Sequence, residues 1–137
     1  MDQLFEFIVN HWMLCSLFIV LLGVFFQYEL SRGGQGVHCQ EAVNLINHND
    51  AIVLDVRPTN EFSKGHITDS INIPHNLLVD RFVELDKHKD RPIILVCAHG
   101  HTTSASGQLL RKHGWQKLYR LTGGITAWQD QRLPLAS

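Results

Sequence analysis

Residues 92–106, with the sequence PIILVCAHGHTTSAS, decide the fold of this chain. The apolar run 92–96 is typical of a buried strand, whereas residues 103–113 have a helical pattern that stops at Gly114. A short loop that contains Gly100 joins the two segments. A strand, a loop and a helix in this order form the repeating unit of a parallel α/β sheet.

The same alternation continues on both sides of this stretch. The predicted strands cover residues 51–56, 71–73, 92–96 and 117–121, and the predicted helices cover residues 40–47, 77–85, 103–113 and 125–131. The strands are almost continuously apolar, which is typical of a parallel sheet that helices cover on both faces. We therefore expect an α/β domain whose reactive groups lie beyond the carboxyl ends of its strands.

Cys97 directly follows the 92–96 strand and is the strongest candidate for a reactive group. Backbone N–H groups of such a loop can turn inward, and the N-terminus of the next helix adds partial positive charge. Both features stabilise a thiolate, and they would also stabilise a persulfide, whose outer sulfur is anionic. We expect Cys97 to be a nucleophile; the alternative is an inert buried thiol.

The two histidines of the loop raise another alternative, in which Cys97, His99 and His101 bind a metal ion. Inward amide dipoles would repel a cation, and no fourth ligand stands nearby at a spacing typical of zinc sites. We therefore expect neither a metal nor a cofactor.

Short motifs follow one another between residues 37 and 134. They are DVR at 55–57, EF at 61–62, KGHI at 64–67, SINIP at 70–74, CAHG at 97–100, GW at 114–115, LTGG at 121–124 and Trp128. Their joint order and spacing resemble those of the rhodanese superfamily. The resemblance implies a five-stranded parallel sheet with helices on both faces. It also implies transfer of a sulfane sulfur through a persulfide on Cys97.

The rest of the loop is expected to bind the substrate through its backbone and flanks, with residues Ala98, His99, Gly100, His101, Thr102 and Thr103. Active rhodaneses usually continue the loop as Cys-x-x-Gly-x-Arg, and Thr102 occupies the Arg position here. Since that Arg would help to hold an anionic donor, we expect weaker use of thiosulfate. Histidines replace its charge only when protonated, so we expect thiosulfate activity to fall between about pH 6 and about pH 8.

The loop after Cys97 also distinguishes this chain from a related class of enzymes, and two residues at the same edge of the sheet are expected to support the loop. Related phosphatase and arsenate-reductase domains need Cys-x5-Arg, in which the Arg binds the oxyanion through two hydrogen bonds. Thr103 stands at that position, so phosphatase activity is not expected. Asp55 lies near the end of the 51–56 strand and Arg57 follows it, and we expect both to support the site by bonding backbone groups of the loops.

Residues 1–30 have a different character from the rest of the chain. The run 12–26, WMLCSLFIVLLGVFF, is uncharged, and its extension to 7–28 predicts one membrane-spanning helix with Trp12 and Tyr28 as interfacial anchors. A signal peptide would need a basic start and a small-residue cleavage site, and a core helix would show a polar face. This segment has none of these features. Lipid is therefore the expected partner of residues 7–28.

Residues 31–36, SRGGQG, are predicted to form a flexible hinge between the membrane anchor and a domain at 37–137. The first basic residue, Arg32, follows the predicted helix. The positive-inside rule therefore places the domain on the cytoplasmic side of the inner membrane, as a single-pass protein.

Composition narrows the classes of function. The 12 basic and 13 acidic residues form no basic run, so we expect no nucleic-acid partner. Three cysteines without a close pair favour a reducing compartment.

The first hypothesis is a sulfurtransferase that takes sulfur from a small donor or a persulfide-bearing protein. The second is a catalytically weak binding or sulfur-carrier module at the membrane, and the third is a thiol sensor that forms a sulfenic acid.

Overall fold

The computed structural model describes residues 1–30, 34–100 and 102–137. The chain divides into two compact units, Met1–Ser31 and Arg32–Ser137. His101 and residues 31–33 of the predicted hinge lie outside the described residues.

The N-terminal unit consists of two helices, α1 (Asp2–Asn10) and α2 (Trp12–Leu30). They meet at His11, which has non-helical backbone angles (φ −121°, ψ 37°), and their axes are bent by 86°. The predicted single helix over residues 7–28 is therefore wrong. The break falls where the weak helix formers Asn10 and His11 interrupt the apolar run.

No single helix among the described residues is long and apolar enough to cross a membrane. The pair Asp2–Asn10 and Trp12–Tyr28 meets this requirement together, by length and composition.

The second unit contains a five-stranded sheet in which all neighbouring strands are parallel. Its strands are β1 (Gln35–Val37), β2 (Ile52–Asp55), β4 (Ile71–Asn72), β5 (Ile93–Val96) and β6 (Leu118–Leu121), in the order β1-β6-β5-β2-β4. The predicted five-stranded parallel sheet is confirmed. A separate antiparallel pair joins β3 (His66–Ile67) to β7 (Leu135–Ala136).

Helices cover both faces of the sheet because the inner strands β2, β5 and β6 carry apolar side chains on both sides. One face packs on α3 (Cys39–Asn49) and α6 (Gly124–Asp130) through Ala42, Ile125 and Trp128. The other packs on α5 (Thr103–Lys112) and on two 3-10 helices, His75–Leu77 and Val79–His88, through Leu110, Leu78 and Leu85. A short helix α4 (Thr59–Ser63) follows β2.

Two local predictions differ from the structure. The predicted helix 77–85 is of the 3-10 type, is split into His75–Leu77 and Val79–His88, and is interrupted at Arg81 (φ −117°, ψ 17°). The predicted hinge 31–36 extends too far, because Gln35 and Gly36 belong to β1 and pair with Tyr119 and Arg120 of β6. The domain therefore starts before the predicted residue 37.

Candidate active site

Cys97 is the first residue after the central strand β5, at the carboxyl edge of the sheet. Strands β6 and β2 flank β5 on its two sides, and the register places Asp55 beside Val96. The Cys97 side chain is only 4% exposed. The sheet thus holds this thiol at the position where parallel α/β domains gather their reactive groups.

The loop after β5 turns back onto the sulfur atom. The N–H of Gly100 donates a hydrogen bond to Cys97 Sγ, with a nitrogen–sulfur distance of 2.8 Å. Gly100 has φ +91°, which a residue with a side chain rarely adopts. Glycine at this position therefore allows the tight turn that directs a main-chain donor at the thiol.

The first turn of α6 holds the start of the loop. The N–H of Ile125 donates to the carbonyl oxygen of Cys97 (2.8 Å), and the N–H of Thr126 donates to that of Ala98 (3.3 Å). Because the peptide bonds are trans, the N–H groups of Ala98 and His99 point the opposite way, away from α6. Within residues 34–100 and 102–137, no group accepts a hydrogen bond from either of them.

Gly124 permits this close approach of α6 to the loop. A Cβ atom on Gly124 would lie 2.2 Å from the carbonyl oxygen of Cys97 and 2.8 Å from that of Ala98. Its φ of +61° also disfavours any side chain. The residue contributes no reactive group, yet the loop cannot keep its position without it.

Helix α5 holds the other end of the loop through buried hydroxyl groups. Thr103 Oγ1 donates to the carbonyl oxygen of Gly100 (3.1 Å), and the Thr103 side chain is fully buried. One turn later, the buried Ser106 hydroxyl lies 2.7 Å from His75 Nδ1 and 3.4 Å from the carbonyl oxygen of Thr102. Thr102 itself is exposed.

Asp55, the last residue of β2, and Arg57, two residues later, form a buried ion pair. Arg57 Nη2 lies 2.7 Å from Asp55 Oδ2 and also donates to the carbonyl oxygen of Gly65 (2.8 Å). The amide of Asn72 donates to the carbonyl oxygens of both residues, at 3.1 and 3.0 Å. These bonds fix the loop after β2, and the carboxylate neutralises the Arg57 charge.

The structure thus brings the predicted residues Cys97, Ala98, Gly100 and Thr103 into one bonded loop, with His99 exposed on it. The residues outside the loop that hold it in place were not among the predicted site residues: His75, Ser106, Gly124 and Thr126. The two glycines of the LTGG motif at 121–124 were the one local signal, since adjacent glycines are typical of a tight turn.

Comparison with known proteins gives consistent matches. The sequence-family model of the rhodanese-like domain matches residues 38–131 of this chain. The uncharacterized protein YibN of Escherichia coli K12 is 33% identical over 140 residues, which cover 98% of this chain and 97% of YibN. The thiosulfate sulfurtransferase GlpE of Pseudoalteromonas translucida is 32% identical over 89 residues, 65% of this chain and 83% of GlpE.

Among solved structures, a rhodanese-related protein from Thermoplasma volcanium has the same fold, with a TM-score of 0.67 and 28% sequence identity. The match covers 74% of this chain and 97% of that protein.

Proposed function

Because this chain belongs to the rhodanese-like domain family, we propose that it is a sulfurtransferase in which Cys97 carries a sulfane sulfur as a persulfide. The hydrogen bond from Gly100 N–H to Cys97 Sγ is the observation that supports this most directly. A main-chain donor aimed at a sulfur atom stabilises negative charge on it, and a persulfide carries that charge on its outer sulfur.

The proposed reaction has two displacement steps. The Cys97 thiolate attacks the sulfane sulfur of the donor, whose own bond to that sulfur breaks; with thiosulfate, sulfite leaves with the electron pair. An acceptor nucleophile then attacks the outer sulfur of the Cys97 persulfide, and Cys97 leaves as a thiolate. The N–H groups of Ala98, His99 and Gly100 stabilise the sulfur anion in both steps.

We further propose that a persulfide or polysulfide is a better donor than thiosulfate. Thr102 supplies no charge to hold the sulfonate group of thiosulfate. Arg57, the buried cation at the same edge of the sheet, is already paired with Asp55. A donor with less negative charge therefore needs less compensation from the protein.

The test is the intact mass of the purified protein after exposure to polysulfide or thiosulfate. We expect the gain of one sulfur atom, larger in yield with polysulfide, and its removal by cyanide. Cys97→Ala, with Cys39 and Cys15 unchanged, is the matched control and should gain none. A cyanide-sensitive sulfur that persists in this variant would contradict the assignment.

A second candidate function is a slow sulfur carrier or binding module. The exposed Thr102 and the small exposed fraction of Cys97 favour it. Thiocyanate formation from a persulfide donor and cyanide separates the two functions. An enzyme turns over repeatedly, whereas a carrier releases one sulfur per chain.

We propose in addition that Met1–Ser31 anchors the protein in the inner membrane, with the domain in the cytoplasm. The apolar side chains of both helices, such as Phe5, Trp12 and Phe18, are exposed within this unit. The absence of Lys and Arg before Arg32 favours this orientation. Protease added to intact spheroplasts should leave the domain uncut; rapid cleavage would reverse the orientation.

A further inference from the structure

Thr126 forms a second link between α6 and the loop, and this link involves the His99 ring. Its Oγ1 lies 2.9 Å from the carbonyl oxygen of Ala98 and 3.3 Å from His99 Nδ1. A threonine hydroxyl has a single proton to donate. The shorter contact assigns this proton to the Ala98 carbonyl, which can only accept. Thr126 Oγ1 must then be the acceptor toward His99, so His99 Nδ1 carries the hydrogen.

This assignment fixes the tautomer of the neutral His99 ring. A neutral imidazole has one N–H, so Nε2 is left with a lone pair that can take a proton. The His99 side chain is exposed, and only one residue separates it from Cys97 in the loop. The exposed ring therefore presents a basic nitrogen to solvent two residues beyond Cys97 in the loop.

We propose that His99 is the general base for a small thiol acceptor and that Thr126 is its positioning residue. This inference rests on the proposed function, because it concerns the second transfer step. A small molecule fits best, since Cys97 is only 4% exposed beneath the loop.

In this step the outer sulfur of the Cys97 persulfide moves to the thiol, and His99 takes up the thiol proton. His99 Nε2 takes the proton of the thiol R–SH as its sulfur attacks the outer sulfur of the Cys97 persulfide anion. The bond between that outer sulfur and Cys97 Sγ breaks, and Cys97 keeps the electron pair as a thiolate. The products are the persulfide anion R–S–S⁻ and a protonated His99, which then releases its proton to water.

Thiols need such a base more than other acceptors do. A thiol with the free-cysteine pKa of about 8.5 is mostly protonated at about pH 7.5, so its reactive form is scarce. Sulfite is mostly present as the reactive dianion at this pH and has no proton to lose. The ratio of the rate of transfer to a thiol to the rate of transfer to sulfite therefore measures the contribution of the base. Effects on persulfide formation change both rates equally and cancel in this ratio.

The experiment loads the full-length protein with polysulfide, removes the excess, and follows loss of the Cys97 persulfide to glutathione or to sulfite. His99→Asn is the main variant, because its side-chain amide can still donate to Thr126 but has no basic nitrogen. General bases contribute roughly 10²- to 10⁴-fold, so we expect the glutathione-to-sulfite rate ratio to fall at least about tenfold. An unchanged ratio would overturn the proposal.

Thr126 provides a matched pair of variants. Thr126→Val keeps the side-chain shape and removes the hydroxyl, so the ratio should fall in the same direction. Thr126→Ser keeps the hydroxyl and should restore the ratio. Equal ratios in the Val and Ser variants would refute the positioning role. If the wild-type protein accepts no sulfur on Cys97, the proposed function fails first, and the loading step shows this before any acceptor is added.

Discussion

Cys97 and Cys39 are both hidden from solvent, with exposed fractions of 4% and 1%, yet their surroundings differ. Cys39 begins α3 and packs in the apolar cluster on one face of the sheet. Burial raises the pKa of the Cys39 thiol, and a backbone hydrogen bond opposes this only in part. Cys97 instead receives a directed N–H from Gly100. Burial alone favours the neutral thiol, whereas a main-chain donor favours negative charge on the sulfur.

The largest expected difference between the two cysteines is in catalysis. Cys97→Ala should reduce thiocyanate formation from polysulfide and cyanide to the uncatalysed rate, because no sulfur carrier remains. Cys39→Ala should keep most of the wild-type rate. Colorimetric thiocyanate measurement on both purified variants checks this. A comparable loss in both would mean that the core cysteine also takes part, and the contrast would disappear.

The next prediction tests whether α6 shapes the surroundings of Cys97. Gly124→Ala should lower the rate of persulfide formation by up to about 100-fold, because the loop must shift away from the new methyl group. Gly114→Ala is the control: its φ is also positive (+104°), but the nearest atom is the end of the Lys89 side chain, 3.5 Å away.

Both glycine variants should lose about 1–2 kcal/mol of unfolding free energy from backbone strain, and Gly124→Ala about 1–3 kcal/mol more from overlap. Urea unfolding and stopped-flow sulfur loading separate the two effects. Equal loading rates in the two variants would show that α6 matters only for stability.

A smaller effect is expected on the α5 side of the loop. Thr103→Val retains the shape of this fully buried side chain but leaves the carbonyl oxygen of Gly100 without its donor. We expect a loss of about 1 kcal/mol in unfolding free energy and a several-fold slower sulfur loading. Thr103→Ser should retain the loading rate because it keeps the hydroxyl. If Val and Ser load sulfur equally fast, the hydroxyl does not position Gly100.

The smallest expected effect is the contribution of Cys39 to the pH dependence of stability. Because folding raises the pKa of Cys39, its thiol ionises first in the unfolded chain as the pH rises. The associated stability is fully present below the unfolded pKa of about 8.5, and it is lost as the pH rises toward the folded value. Under reducing conditions, the urea midpoint should therefore fall less steeply above about pH 8.5 in Cys39→Ala than in the wild type. Parallel curves would contradict this.

The sheet and the position of Cys97 were predictable because their signals are local. The apolar runs that form β2 and β5 identify buried strands, and the residue after such a strand lies at the functional edge by topology alone. Strand β1, by contrast, lies in the polar segment QGV, which has little strand propensity. It becomes a strand because the edge of β6 supplies partners, and this tertiary effect has no signature in three residues.

The residues that complete the site were not predictable for the same reason. Thr126 lies 28 residues after Ala98 in the chain, and nothing near either residue indicates their hydrogen bond. Likewise, Ser106 lies 31 residues after His75 in the chain, and nothing near either residue indicates their contact. At the N-terminus, the apolar pattern predicted a helical segment but neither its start at Asp2 nor the break at His11, because hydropathy does not report backbone direction.

The dependence of the Cys97 loop on α6 has a consequence for biosynthesis. During synthesis, residues 97–100 leave the ribosome before residues 124–126. The carbonyl oxygens of Cys97 and Ala98 have no α6 donors until residues 124–126 have also emerged. A nascent chain thus exposes a thiol that lacks its finished surroundings. The proposed persulfide site is therefore complete only after the last helix docks, so translation of the C-terminal segment must precede its formation.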